Sequence, residues 1–251
     1  MSVEKFTDAG IFVGAREISG KSNKVSLEYK AAMLDGTVFG QTTKVNVAGL
    51  VEWQMSAEGF NEFGTDVPAT GVTFMDSAAA NAPFTMMGGL DLPLTVLPNA
   101  STDLSIAYFM KAVHCKYDTF GKLGDLLPFS LETQPSKHGT RGFLGFLPSS
   151  RTASANGSSK QLGAVSSSQR LVAALHVIQF NGTSLDVVIA SDDDTGFPSG
   201  TTRITFAQAT GITSEWAEVA GPITDDWFRA QATFVGTSFK ALVVFGLASI
   251  F

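Results

Sequence analysis

From Asp35 to Gly59 the chain reads DGTVFGQTTKVNVAGLVEWQMSAEG, and from Val45 onward apolar and polar residues alternate. Val45 and Val47, then Val51, Trp53, Met55 and Ala57, stand against Lys44, Asn46, Glu52, Gln54, Ser56 and Glu58. That is the period-two pattern of a strand with one face buried and one wet. Ala48-Gly49-Leu50 shifts the phase, which predicts a bulge or tight bend where a glycine costs least. Upstream, Ile11 and Val13, then Val25, Leu27 and Tyr29 against Ser26, Glu28 and Lys30, predict two more strands. A Gly- and Ser-bearing turn, Ser19 to Asn23, joins them, so that a β-meander leads into the alternating stretch.

Downstream, Gly59 to Thr65 reads as a loop or at most a short helix, and Val67 to Gly89 as a long surface excursion of small residues with a Met pair. Leu92 to Leu97, bracketed by Pro93 and Pro98, predicts an edge strand, because proline cannot donate to a ladder. Leu104 to Tyr117 fits a strand by its aromatics and a helix by its length; strand is the preferred reading. Leu127 to Thr133 and Gly142 to Leu147 close a first domain over residues 1–147. The Ser-, Ala- and Gly-rich run Pro148 to Gln169 marks a linker. Beyond it, residues 170–251 offer six strand candidates: Leu171 to Phe180, Leu185 to Ser191, Arg203 to Ala209, Trp216 to Ala220, Trp227 to Val235 and Phe239 to Leu247. Turn signals at Asn181-Gly182, Phe197 to Gly200 and Gly236 to Ser238 separate them. In Trp227 to Val235, Phe228, Ala230, Ala232 and Phe234 face one way and Arg229, Gln231 and Thr233 the other. The whole is all-β: an N-terminal barrel or sandwich followed by a jelly-roll- or immunoglobulin-like sandwich.

Composition sharpens this picture. Apolar residues are 44 % of the 251 but are broken by 25 Gly and 9 Pro. No run of about 18 uncharged apolar residues exists, so no membrane span is predicted. The start, MSVEKFTDAG, carries acids and no apolar core, so no signal peptide is expected. One cysteine, Cys115, cannot close an intrachain disulfide and is expected to fill core. Seventeen basic against 23 acidic residues give a net charge of −6, which argues against a tight, non-specific grip on phosphate backbones. Charged residues are only 16 %, against about 25 % in ordinary soluble domains. So few charges beside 20 Phe predict a surface largely covered by neighbouring subunits.

Tests for chemistry return no catalytic, cofactor-binding or metal-binding residues. Gly20-Lys21-Ser22 has the end of a phosphate-cradling loop, but position 15 is Ala where that motif needs Gly, and no long helix follows. Asp192-Asp193-Asp194 and Asp225-Asp226 could offer oxygen ligands to calcium, yet neighbouring carboxylates on an extended segment point apart, and solvated turns are the simpler reading. His114, His138 and His176 lack metal-ligand spacing, and His114 and Cys115 point to opposite faces if they lie on a strand. No nucleophile elbow is present. Trp53, Trp216 and Trp227 are read as core rather than a sugar-stacking platform.

A further pattern carries more. Ser19-Gly20, Asn23, Val25 and Leu27 form an SG-x-x-N-x-V-x-L stretch, Asp35, Thr37 and Phe39-Gly40 a D-x-T-x-FG stretch, and Ala48-Gly49-Leu50 follows. In these features residues 10–60, and more loosely the chain to about 147, resemble the first domain of the tail tube (major tail) proteins of long-tailed bacteriophages. The second half resembles a β-sandwich segment attached to such phage structural proteins. The resemblance implies a non-enzymatic virion protein of the tail, assembled in the host cytoplasm, whose copies form stacked rings, usually six-fold, around a passing genome that they do not bind. It also implies contacts with other tail or head-neck proteins. The 67–89 excursion and the second sandwich lie outside the minimal family plan. The excursion is expected to clasp the next ring, so deleting Ala78 to Ala82 should stop tube growth. Two other classes fit the same chain: a capsid decoration or cement protein, and a carbohydrate-binding module with Trp216 or Trp227 exposed.

Overall fold

A computed structural model describes residues 8–38, 42–77 and 89–249, apart from the side chain of Ala48. Fifteen strands occur among them, with no α-helix. The first six are β1 (Gly10–Val13), β2 (Arg16–Glu17), β3 (Ser22–Asp35), β4 (Asn46–Phe60), β5 (Asp91–Leu97) and β6 (Ile106–Thr119). Then come β7 (Pro128–Pro135), β8 (Thr140–Phe146) and the two-residue strands β9 (Ser150–Arg151), β10 (Ala155–Asn156) and β11 (Lys160–Gln161). The last four are β12 (Gln169–Asp192), β13 (Thr201–Thr205), β14 (Thr213–Ala220) and β15 (Trp227–Ser249). Every ladder is antiparallel, and the main path runs β13-β12-β15-β8-β6-β5-β1-β2. A branch leaves β6 through β7 to β4 and ends on β3.

Three cores hold this together. One is formed by Ile11 and Val13 of β1, Met55 and Ala57 of β4, Leu94 and Val96 of β5, Met110 of β6 and Leu131 of β7. A second lies inside the C-terminal ribbon of β12 and β15, which meet along nearly their whole length. There Leu171, Leu175, Leu185 and Val187 pack with Phe228, Phe234, Phe239 and Phe245. The third joins the two: Val172, Ala174, Leu242 and Val244, on the opposite face of the same ribbon, pack on Phe12, Leu97, Phe109 and Leu144. Strand alternation explains how one ribbon serves two cores, since successive side chains leave opposite faces. Each large side chain so buried contributes about 1.5–3 kcal/mol.

Two predicted turns are absent. Asn181-Gly182 and Gly236 to Ser238 lie inside the continuous strands β12 and β15, opposite each other, where the ladder shifts register. A methyl group on Gly236 would sit 2.3 Å from the Gly182 Cα, so both glycines are needed for two backbones to close at a shared bend. The six expected C-terminal strands are therefore four. Phe228, Ala230, Ala232 and Phe234 are buried on one face, as the alternation indicated.

Other expectations also shift. The β-meander is not formed: β1 pairs with β2 and β5, not with β3. Nor is β5 an edge strand, since it pairs with β1 and β6. Pro93 is tolerated because its nitrogen faces the side where the β1 ladder ends, one residue beyond the Val13–Leu94 pair. The segment 104–117 is resolved in favour of strand β6. The bulge at Ala48-Gly49-Leu50 is present, where Ala31 faces Val51 and Met33 faces Ala48. Within 148–169, β9, β10 and β11 all pair with β15. Much of the excursion, including Ala78 to Ala82 and the Met pair, lies outside the described residues, as do Phe39 and Gly40.

Candidate assembly surface

The β3–β4 hairpin is anchored at one end and bare at the other. At its root Met55 and Ala57 are buried, and Tyr29 meets Trp53 edge-on at 4.9 Å. A methyl group on Gly59 would sit 2.0 Å from the Lys21 carbonyl oxygen, so only glycine lets β4 cross the turn before β3. Beyond Tyr29 and Trp53 no described residue covers the strands. Met33, Leu34, Val47 and Val51 are about half exposed or more, and Leu50 is 88 % exposed. Val45, Val47 and Val51 were expected on a buried face; among the described residues nothing packs over them, and they are 39–51 % exposed. Met33 and Leu34, like Leu50 and Val51, are successive strand residues whose side chains leave opposite faces, so the arm is apolar on both sides.

The tip shows why the D-x-T stretch has its spacing. The Thr37 amide donates to Asp35 Oδ1 at 3.0 Å, the Val45 amide donates to Thr37 Oγ1 at 3.0 Å, and the Gly36 amide donates to the Val45 carbonyl at 2.8 Å. Hydrogen bonds from the Thr37 hydroxyl and amide hold the Asp35 carboxyl below its usual range. Ser19 of the earlier stretch accepts the Ile11 amide at 2.8 Å and so fixes the turn into β3. Exposed ion pairs along the arm, Lys24–Glu58 at 2.8 Å and Lys44–Asp35 at 3.6 Å, add little stability.

A groove of about 590 Å³ opens at the arm's root. Val25, Leu27 and Trp53 line one side and Val96 and Tyr108 the other, with the exposed Arg141 also in its lining. Among the described residues no carboxylate lies within ion-pair distance of Arg141. At the far end of β4 is a second apolar cluster, where Phe63 stacks on Phe120 at 6.2 Å and Phe60, Leu123 and Leu126 are exposed.

The residues tested for chemistry are scattered, and most are already engaged. Ser19–Lys21 is a 3-10 turn, and Lys21 donates to the Thr73 carbonyl and pairs with Glu62 at 3.2 Å. Asp192 is buried rather than solvated: it accepts the amides of Asp194 at 3.1 Å and Ser199 at 2.9 Å, and so caps a loop. Asp194 accepts the Gly196 amide, Asp225 pairs with Arg203 at 2.9 Å, and Asp226 accepts from Gln161. Among the described residues no three His, Cys, Asp or Glu side chains gather as a metal site would require. Cys115 does not fill core; it is exposed, on the face of β6 opposite the buried His114 and at a register shift between His114 and Lys116. Trp53, Trp216 and Trp227 are half-buried at separate places, Trp216 against Phe109 and His138. Among the described residues no helix is long and apolar enough to cross a membrane.

No family model and no curated protein matches the sequence. Among solved structures, the chain is similar to one from the virion of a native gene transfer agent particle, at 13 % identity and a TM-score of 0.42, over 55 % of this chain and 98 % of that one. It is also similar to the SPP1 Dit (gp 19.1) protein, described as a paradigm of the hub adsorption apparatus in phages infecting Gram-positive hosts. There the identity is 10 % and the TM-score 0.37, over 96 % of this chain and 100 % of that one. The SPP1 tail tube protein is similar at 8 % identity and a TM-score of 0.40, over 56 % and 78 %.

One engaged site escaped the sequence entirely. Arg16 and Asp66, both nearly wholly buried, form a forked ion pair. Asp66 also accepts the Phe74 amide at 2.9 Å and the Ser77 hydroxyl at 3.1 Å. Burial alone would raise the Asp66 carboxyl, but Arg16 and the Phe74 amide outweigh it and hold it low. The pair pins residues 66–77 to β2. Fifty positions separate the two, so no local pattern could announce it.

Proposed function

We propose that this is a non-enzymatic structural protein of a virion, a tail-tube-type subunit whose copies assemble with one another. One observation carries the reading: an arm patterned for a buried face stands uncovered on both faces among the described residues. An exposed, flat, apolar edge strand is tolerated only when another chain covers it. The sparse charge of the chain agrees, as does the resemblance of residues 10–60 to tail tube proteins. That resemblance supports rings, six-fold in the relatives, stacked around a genome that a chain of net charge −6 repels rather than holds. Apolar clusters at opposite ends of β4 suit copies that meet both around a ring and along an axis. The two-unit organisation, 1–147 and 170–251, belongs to the same proposal, with the second unit on the outside.

Negative-stain microscopy of the purified protein tests this. Rings or tubes formed without other components are expected. Particles that stay single and bind only to capsid shells would make it a decoration protein instead.

A further inference from the structure

We infer that the apolar groove at the root of the arm is the seat for the arm of a second copy. The inference rests on the reading of the chain as a self-assembling subunit and names the partner surface.

Three observations converge on it. First, the groove walls, Val25, Leu27, Trp53, Val96 and Tyr108, are apolar or aromatic, and the arm presents Met33, Leu34, Val47, Leu50 and Val51. Burying those side chains in the groove removes both apolar surfaces from water. Second, the charges are complementary. Arg141 lines the groove without an ion-pair partner among the described residues, while the arm tip carries Asp35, which accepts from Thr37 and whose ion-pair partner is the exposed Lys44 at 3.6 Å. An incoming arm brings the carboxylate to the unpaired guanidinium, a geometry that arginine favours. Third, the arm cannot fill its own groove. Tyr29 and Trp53 lie both in the groove lining and at the point where the arm leaves the body. Strands paired from there to Asp35 carry the tip roughly 20 Å away. The occupant is therefore another chain. Because arm and groove are different patches, the contact is heterologous: each copy gives an arm and receives one, which closes a ring or extends a filament.

The test uses two variants of the full chain, Leu34→Glu on the arm and Tyr108→Glu in the groove. Each alone should remain monomeric in sedimentation velocity, and an equimolar mixture should give dimers and nothing larger, since only one intact arm and one intact groove remain. If Tyr108→Glu does not fold, as read from its thermal melt, Arg141→Glu replaces it; that exposed substitution should raise the concentration needed for assembly about tenfold or more. Groove variants that assemble like the wild type, while the arm variant does not, would overturn the seat and leave the assembly reading standing. A wild type that stays monomeric throughout would remove the reading beneath it.

Discussion

His114 and His176 are both buried, and burial is the first cause that lowers each to a pKa of about 4. Their surroundings differ. His176 Nδ1 lies 2.6 Å from the Gly14 carbonyl oxygen, which can only accept, so Nδ1 carries the proton, and Nε2 accepts from the Thr95 hydroxyl at 2.8 Å. This neutral tautomer bolts β12 to β5 and to the turn after β1. The Nδ1 of His114 is buried without a hydrogen-bond partner among the described residues. Both groups bind protons more readily when unfolded, with an ordinary pKa near 6.5. Their contribution is thus fully present above that value and is lost as pH falls from about 6.5 toward about 4. Asp66 acts in a lower window: its depressed carboxyl keeps stability that disappears only as pH falls below the ordinary carboxylate range. Replacing His114→Met removes an unsatisfied nitrogen. The variant should be at least as stable as the wild type at pH 7, and its urea-unfolding free energy should fall less between pH 7 and pH 4. An unchanged slope would contradict the assignment.

Among the elements, the C-terminal ribbon depends most on two residues without side chains. Gly182 and Gly236 face each other at the bend where β12 and β15 shift register. A methyl group there meets backbone, which cannot rotate away, so Gly236→Ala should cost roughly 1–3 kcal/mol in denaturant unfolding. A neutral result would mean that the bend relaxes freely. Both positions also show where the sequence misleads. Asn-Gly between alternating runs is a strong hairpin signal, yet two such signals facing each other mark one bend shared by two long strands. Only the pairing of residues 169–192 with 227–249 distinguishes the cases, and sequence-local rules do not contain it. Pro93 misled in a similar way, since an edge and a ladder's end make the same demand on a proline.

Across the molecule, alternation was enough to read the all-β class, the bulge at Gly49 and the buried face of Phe228 to Phe234. It was also enough to show that Val45, Val47 and Val51 want cover; it could not show that no described residue supplies it. Which face of β6 is buried, and with it the place of Cys115, and the Arg16–Asp66 pair were beyond reach, because contacts between residues far apart in sequence decide them. The arm is where local pattern and isolated fold disagree, and that disagreement is the physical basis of the proposed assembly. Sedimentation velocity over a range of protein concentrations, comparing the wild type with Leu50→Glu, measures it directly. The wild type should associate as concentration rises, while the variant, altered at an 88 % exposed position, should keep its fold and stay monomeric. A wild type that sediments as a single monomeric species at every concentration would contradict it.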